Sequence, residues 1–221
     1  MAIEQDVMRA AGEMIEELGF MKVTLTGVAE RAHIEPAVFY RRFANLDELF
    51  ARYTKQYDYW LGNLANSIPQ HLDPEETFKW ILQNMVNALL ANRGMQQLLV
   101  WELANTNDIT KRTSQLRESV NEPLVKLLEE TFKESQLEIN TICSMLIASI
   151  YYLIIHKEIS TFCLIDFTTE EGQKSLRIAI DQLVSMLFAH LYQKKEINQI
   201  AERLRNEGVS EDIIAKCIYL G

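Results

Sequence analysis

Gly19-Phe20-Met21-Lys22-Val23-Thr24-Leu25-Thr26-Gly27-Val28-Ala29-Glu30-Arg31-Ala32-His33-Ile34-Glu35-Pro36-Ala37-Val38-Phe39-Tyr40-Arg41-Arg42-Phe43 is the stretch whose reading decides the fold. Thr24 is a hydroxyl residue placed to cap a short helix from Leu25 to Ala32, whose apolar side is Leu25, Val28, Ala29 and Ala32. His33 and Ile34 make the turn. Pro36 suits the first position of the next helix, since its missing N–H would have no helical partner there. That helix carries Val38, Phe39 and Phe43 inward and leaves Tyr40, Arg41 and Arg42 partly outward. Two short helices joined by a tight turn, the second ending in arginines, are what a reader of the DNA major groove requires.

Outward from this stretch the pattern stays helical. Upstream, Val7, Ala10, Ala11, Met14, Ile15 and Leu18 recur at three- and four-residue spacing, which predicts a helix over 3–18 ended by Gly19 as a left-handed cap. Downstream, Asn45 and Glu48 form a capping-box-like pair that opens a helix running to about Ala65, and Asp73, Pro74 and Glu76 open another over 74–91. Further helices are expected at about 95–104, 109–134, 138–163, 169–194, 196–207 and 211–219, with Pro123 kinking or splitting the 109–134 span. Alternating strand patterns are missing, so the expected class is all-α, with a three-helix head over 1–50, a larger helical body over 51–194 and a helical extension over 195–221. The head joins the body within the 45–65 helix.

Composition narrows the function classes. The 221 residues, 48% of them hydrophobic, hold enough apolar side chains for a small domain joined to a larger one. Apolar runs fall short of the ~18–20 residues that cross a bilayer, and no basic leader precedes an apolar stretch, so a cytoplasmic protein is expected. Cys143, Cys163 and Cys217 are scattered and read as buried small hydrophobes rather than metal ligands. There is no glycine-rich phosphate loop, nucleophile elbow or metal-spaced cluster, so no catalytic residue, metal or cofactor is expected. The net charge of −9 opposes phosphate binding, but its distribution is uneven. Residues 56–193 hold 10 basic and 17 acidic side chains, whereas 20–45 hold four basic (Lys22, Arg31, Arg41, Arg42) against two acidic (Glu30, Glu35).

Residue identities add what periodicity cannot. Gly19-Phe20, Thr24, Val28-Ala29, Ala32, Phe39-Tyr40, Phe43 and Asp47-Glu48-Leu49 resemble the head of the TetR family of bacterial transcriptional regulators, over about the first 55 residues. The resemblance implies that Thr24, Thr26 and Tyr40 contact phosphate while Pro36, Ala37 and Val38 lead the recognition helix, with Arg41 and Arg42 at its end. It also implies a palindromic DNA operator read by a homodimer, pairing through helices at about 138–163 and 169–192, and repression relieved by a small-molecule ligand. The interface faces expected are Ile142, Leu146, Ser149, Ile150 and Leu153 on one helix, and Ile178, Leu183, Met186, Leu187 and Leu191 on the other. Phe78, Met85, Trp101 and Tyr152 are candidates to line the ligand pocket, and the same residues are equally suited to a plain core.

Three departures from the family pattern bear on the chemistry. His33 stands where the turn commonly has Gly, Glu35 where it has a small polar residue, and Leu46 where a lysine often reaches the DNA backbone. Glu35 reads first as a cap of the recognition helix, or else as an acceptor for a cytosine amino group. His33 is assigned no role, and His156 is read as a core or interface histidine. Glu35, Leu46 and the acidic total together favour one alternative: a TetR-like protein that has lost DNA binding and acts through a protein partner.

Overall fold

The computed structural model describes residues 2–58 and 67–219, and these are helical apart from turns and one isolated bridge between Phe162 and Ile165. In chain order we number α1 (Ala2–Leu18), α2 (Leu25–Arg31), α3 (Pro36–Tyr40), α4 (Leu46–Thr54), α5 (Pro74–Ala91), α6 (Arg93–Ala104), α7 (Asp108–Phe132), α8 (Ile139–His156), α9 (Glu170–Asn206) and α10 (Glu211–Tyr219). Helices α1 to α4 form the head and α5 to α9 the body.

Local chemistry sets most of these boundaries. Asp73 accepts from the Glu76 N–H at 2.8 Å while Glu76 returns the bond to the Asp73 N–H at 3.1 Å, a complete capping box opening α5. Gly208, at φ 80°, ends α9: its N–H reaches the Arg205 carbonyl and the Val209 N–H reaches Leu204, so two terminal carbonyls are satisfied. Gly19 also takes φ 80°, but with ψ 159° it is an extended glycine conformation and not the expected left-handed cap.

Several spans differ from expectation. Helix α4 stops at Thr54 and tightens into a 3-10 turn over Lys55–Tyr57; the expected continuation over 59–65 lies outside the described residues. Helix α7 runs unbroken through Pro123. The ring sits on the exposed side, so the carbonyl that loses its helical donor can bond water instead. Helix α8 ends at His156, not 163, and the chain closes a two-residue turn at Cys163 and Leu164 before α9. Helix α9 is one 37-residue helix where two were expected, so the 195 boundary falls inside it, and α10 folds back to bury Ile214 near Ala201.

Head and body meet through an aromatic joint. Phe20, in the 3-10 turn after α1, stacks on Trp101 of α6 with centroids 4.4 Å apart and planes 5° apart. Phe50 of α4 meets both rings edge-on at 5.2 and 5.5 Å. Beside them the hydroxyls of Tyr53 and Tyr57 bond at 3.1 Å against Gly94, where an added methyl would lie 2.1 Å from the Tyr57 oxygen. Arg112 of α7 adds a polar tie, donating to Thr54 Oγ1 at 3.0 Å and pairing with Asp58 at 3.4 Å.

Helix α8 is 18 residues long with mean hydropathy 1.6, so one helix does meet the length and composition of a bilayer span, contrary to the expectation from the sequence. Its apolarity divides between two faces. Cys143, Leu146, Ile150 and Ile154 face the core, while Met145 and Tyr152 are exposed. Of the cysteines, Cys143 is buried as expected and burial pushes its thiol up to about 11; Cys163 is exposed, and the Cys217 side chain lies outside the described residues.

The most deeply buried ion pair among the described residues lies in the body. Arg117 of α7 pairs with Glu102 of α6, both nearly excluded from solvent, and Thr113 donates to Glu102 Oε1 at 2.5 Å. Removing one partner strands a buried charge, which costs about 3–5 kcal/mol, whereas replacing both by apolar residues of similar volume is often close to neutral. Arg117→Met is therefore expected to lower the denaturation midpoint sharply, and Arg117→Met with Glu102→Leu to recover most of the loss. Equal midpoints for the single and double variants would contradict this account.

Candidate nucleic-acid interface

The head presents a polar, exposed edge built by two short helices. Thr24, extended at φ −120°, caps α2: its Oγ1 accepts from the Gly27 N–H at 3.1 Å and lies 3.4 Å from Thr26 Oγ1. Both threonines are exposed at the start of α2. Val28 and Ala29 turn into the core, as their spacing predicts.

The turn closes on His33 at φ 55°. The His33 N–H reaches the Glu30 carbonyl at 3.1 Å and the Ile34 N–H reaches Ala29 at 3.0 Å, the same two-bond closure that Gly208 makes at the end of α9. A non-glycine residue there costs about 1–2 kcal/mol. His33 holds the conformation because Ile34, next in sequence, packs against the core.

Helix α3 has five residues, too few to be stable alone, so its orientation is set by what it touches. Phe39 and Phe43 are fully buried with centroids 5.3 Å apart, and each such ring contributes roughly 1.5–3 kcal/mol. Arg52 of α4, which sequence reasoning passed over, supports Phe43 from the other side. Its guanidinium lies 4.9 Å over the ring, pairs with Glu4 at 2.8 Å and Glu48 at 2.6 Å, and reaches the Arg42 carbonyl at 3.5 Å. Only its i,i+4 spacing from Glu48 was visible in the sequence. Glu48 accepts from the Ala44 N–H at 2.7 Å, one residue before the expected cap, while Asn45 caps the Glu48 N–H at 2.9 Å.

With Phe39 and Phe43 inward, Pro36, Ala37, Tyr40, Arg41 and Arg42 are exposed and Val38 is half-buried. The arginines of the head therefore divide. Arg31 pairs with Glu17 at 2.8 Å and Arg52 with Glu4 and Glu48, whereas neither Arg41 nor Arg42 has a side-chain partner among the described residues. Glu35 sits at the cap position of α3 with extended backbone, but its side chain makes no capping bond. The capping reading of Glu35 is corrected: at φ −71° and ψ 145° the residue leaves the cap role to its backbone carbonyl, which accepts from the Val38 N–H at 2.8 Å. Leu46 packs half-buried against the core and offers no charge.

The candidate pocket residues do not gather at one place. Phe78 and Met85 are buried in the body core, and Trp101 belongs to the joint with Phe20. Tyr152 departs from the set: it is half exposed on the outer face of α8, stacked on His156 at 5.0 Å and against Phe162 at 5.6 Å. A groove of about 660 Å³ lies elsewhere, between α1, α4 and the α5–α6 corner, lined by Arg9, Glu13, Glu16, Arg52, Tyr57 and Arg93 among others. The outer faces of α8 and α9 also differ in membership from expectation. Met145, Ser149 and Tyr152, with Ile178, Leu183 and Met186, are exposed, whereas Leu146, Ile150 and Leu191 are spent inside the core.

Residues 7–53 match the family model of the bacterial regulatory proteins of the tetR family. The head has the TetR-family N-terminal domain. The TetR match spans α1 to α4, the elements that carry the threonine caps, the aromatic pair and Arg52. Comparison with curated protein sequences finds no match. Among solved structures the chain is similar to the transcriptional regulator FadR from Bacillus subtilis in complex with stearoyl-CoA, at TM-score 0.62 and 13% identity over 81% of this chain and 96% of that one. It is also similar to the fatty acid degradation regulator FadR from Bacillus halodurans, at TM-score 0.59 and 17% identity over 81% and 96%. A member of the TetR transcriptional regulator family from Streptomyces coelicolor A3 gives TM-score 0.59 and 15% identity over 80% and 88%. These likenesses extend the TetR fold from the head to the body.

One carboxyl of the head is held by its neighbours in the charged form. The Glu48 carboxyl is held below the usual carboxylate range by the Ala44 N–H and then by Arg52. A depressed carboxyl contributes stability that is fully present above its unfolded pKa and is lost as pH falls through the folded value. Melting the chain between pH 7 and pH 3 should therefore show an acid-side loss that Glu48→Gln reduces. An unchanged pH profile in that variant would show that Glu48 does not link protonation to folding.

Proposed function

We propose that this protein is a DNA-binding transcriptional repressor that reads a palindromic operator as a homodimer and releases it when a small molecule binds. The observation that carries the reading is the edge formed by Thr24, Thr26, Tyr40, Arg41 and Arg42, exposed and unneutralised on a head that matches a regulatory family. The hydroxyls of Thr24, Thr26 and Tyr40 suit phosphate contacts that set register, and Pro36, Ala37 and Val38 present the leading edge of α3 to the major groove. The dimer follows from need and from surface. One five-residue recognition helix buries too little DNA for specificity, and the exposed apolar residues on α8 and α9 suit burial against a second copy.

Ligand response in this reading is a shift in the populations of two head spacings, passed through the joint of Phe20, Phe50 and Trp101 and the tie from Arg112 to Thr54. The resemblance to a FadR seen with stearoyl-CoA makes long-chain acyl-CoA the first class to titrate.

The direct test is a gel-shift with DNA from upstream of the gene, at low and at physiological salt, with acyl-CoA added in a parallel series. We expect sequence preference to survive at the higher salt, affinity to fall with added ligand, and Arg41→Ala and Arg42→Ala each to reduce the salt slope by about one. Loss of neither slope nor affinity in these variants would move the interface elsewhere, and acyl-CoA without effect on DNA affinity would exclude that ligand class. Sedimentation supplies the second prediction: Met186→Glu should convert a dimer to monomer with the helical signal retained, and a variant that remains dimeric would place the subunit contact off this face.

A further inference from the structure

The carboxylate of Glu35 is a free acceptor at the leading edge of the proposed recognition surface. Glu35 is exposed, and among the described residues its side chain makes no ion pair, no hydrogen bond and no cap to α3. It precedes Pro36 and Ala37, both exposed, at the N-cap position of α3, the end at which a recognition helix meets base edges. A group in this place would follow α3 into the groove, where a bare carboxylate among phosphates is repelled unless it meets a donor.

The major groove offers few donors. Only the exocyclic amino groups of cytosine and adenine donate there, while guanine and thymine present acceptors. Adenine sets its N7 acceptor beside its amino group, which faces a carboxylate unfavourably; the cytosine amino group has no acceptor beside it on the same base. The unpartnered state of Glu35 in the chain, combined with this asymmetry, selects one base. We propose that Glu35 is a specificity-determining residue that accepts a hydrogen bond from a cytosine amino group in each operator half-site.

The proposal rests on the DNA-binding reading and makes a sign prediction that general phosphate affinity does not. Replacing the carboxylate weakens binding to the preferred operator and, by removing a negative charge, strengthens binding to unrelated DNA. A merely solvated glutamate would give only the second effect.

The test is selection from a randomised duplex library with the full chain and with Glu35→Ala and Glu35→Gln, followed by melting of all three. The wild type is expected to enrich a C·G pair at one symmetric position in both half-sites, with a preference on the order of tenfold over the other bases. Glu35→Ala should lose preference at that position alone, and Glu35→Gln should shift it toward adenine, because an amide both donates and accepts. Because the Glu35 side chain makes no hydrogen bond or ion pair among the described residues, the three melting curves should coincide. Enriched sites that are the same for wild type and Glu35→Ala overturn the proposal. A wild type that enriches a clear palindrome without a cytosine at any Glu35-dependent position overturns it while leaving the DNA-binding reading intact, whereas a wild type that enriches no sequence overturns both.

Discussion

The stack of Phe20 on Trp101 is the contact on which the rest of the molecule depends. Phe20 follows directly from Gly19, whose backbone conformation is open to glycine alone, so the ring reaches Trp101 only because the chain can turn sharply after α1. Phe50 and Tyr53 of α4 close on the same ring. One aromatic side chain, set in the turn between α1 and α2, thus touches both α4 and α6. A change of angle at this joint is carried to both sides at once, since packed rings shift between discrete arrangements more readily than they deform.

Beyond the joint, the head is organised around the weakness of α3. Five residues make little helix of their own, and Arg41 and Arg42 lie in the turn that follows. What fixes them is external: two buried phenylalanines below, and Arg52 alongside, held in turn by Glu4 and Glu48. Arg52 thereby joins α1 and α4 to the turn that follows α3. Its charge is used within the head, which explains why its exposed edge does not count it among the cations available to phosphate.

The sequence was legible where structure is local. Thr24 as a cap, Val28 and Ala29 inward, Pro36 at the start of α3 and the Asp73 to Glu76 box depend on neighbours three or four residues away, and each reads directly from spacing. What it hid is non-local. Arg52 meets Glu4 across 48 residues and Trp101 meets Phe20 across a domain junction, and nothing in periodicity pairs them. Tyr152 illustrates the same limit on α8, a helix apolar on two sides: spacing identifies a face but not whether that face meets the core or the outside. Pro123 and the join at 195 differ for another reason: an exposed helix side tolerates the bond lost at Pro123, and α9 continues through 195 without interruption.

The charge of the chain then poses a last question, how the head of a chain of net charge −9 would hold a polyanion. Among the described residues, pairing leaves Lys22, Arg41 and Arg42 as the cations of the 20–45 segment without side-chain partners, while Arg31 is paired with Glu17 and the lysine position is filled by Leu46. Three charges per head give a weak non-specific attachment, since that term scales with the number of phosphates neutralised. The remaining affinity has to come from neutral contacts that demand geometry: hydroxyls at Thr24, Thr26 and Tyr40, and base edges read from α3. A protein so built discriminates more sharply than a basic one of equal affinity, because it has little attraction to spend on the wrong sequence. On the DNA-binding reading proposed above, the acidic body, Glu35 and the leucine at the lysine position would act in one direction, lowering the background against which a correct operator is recognised.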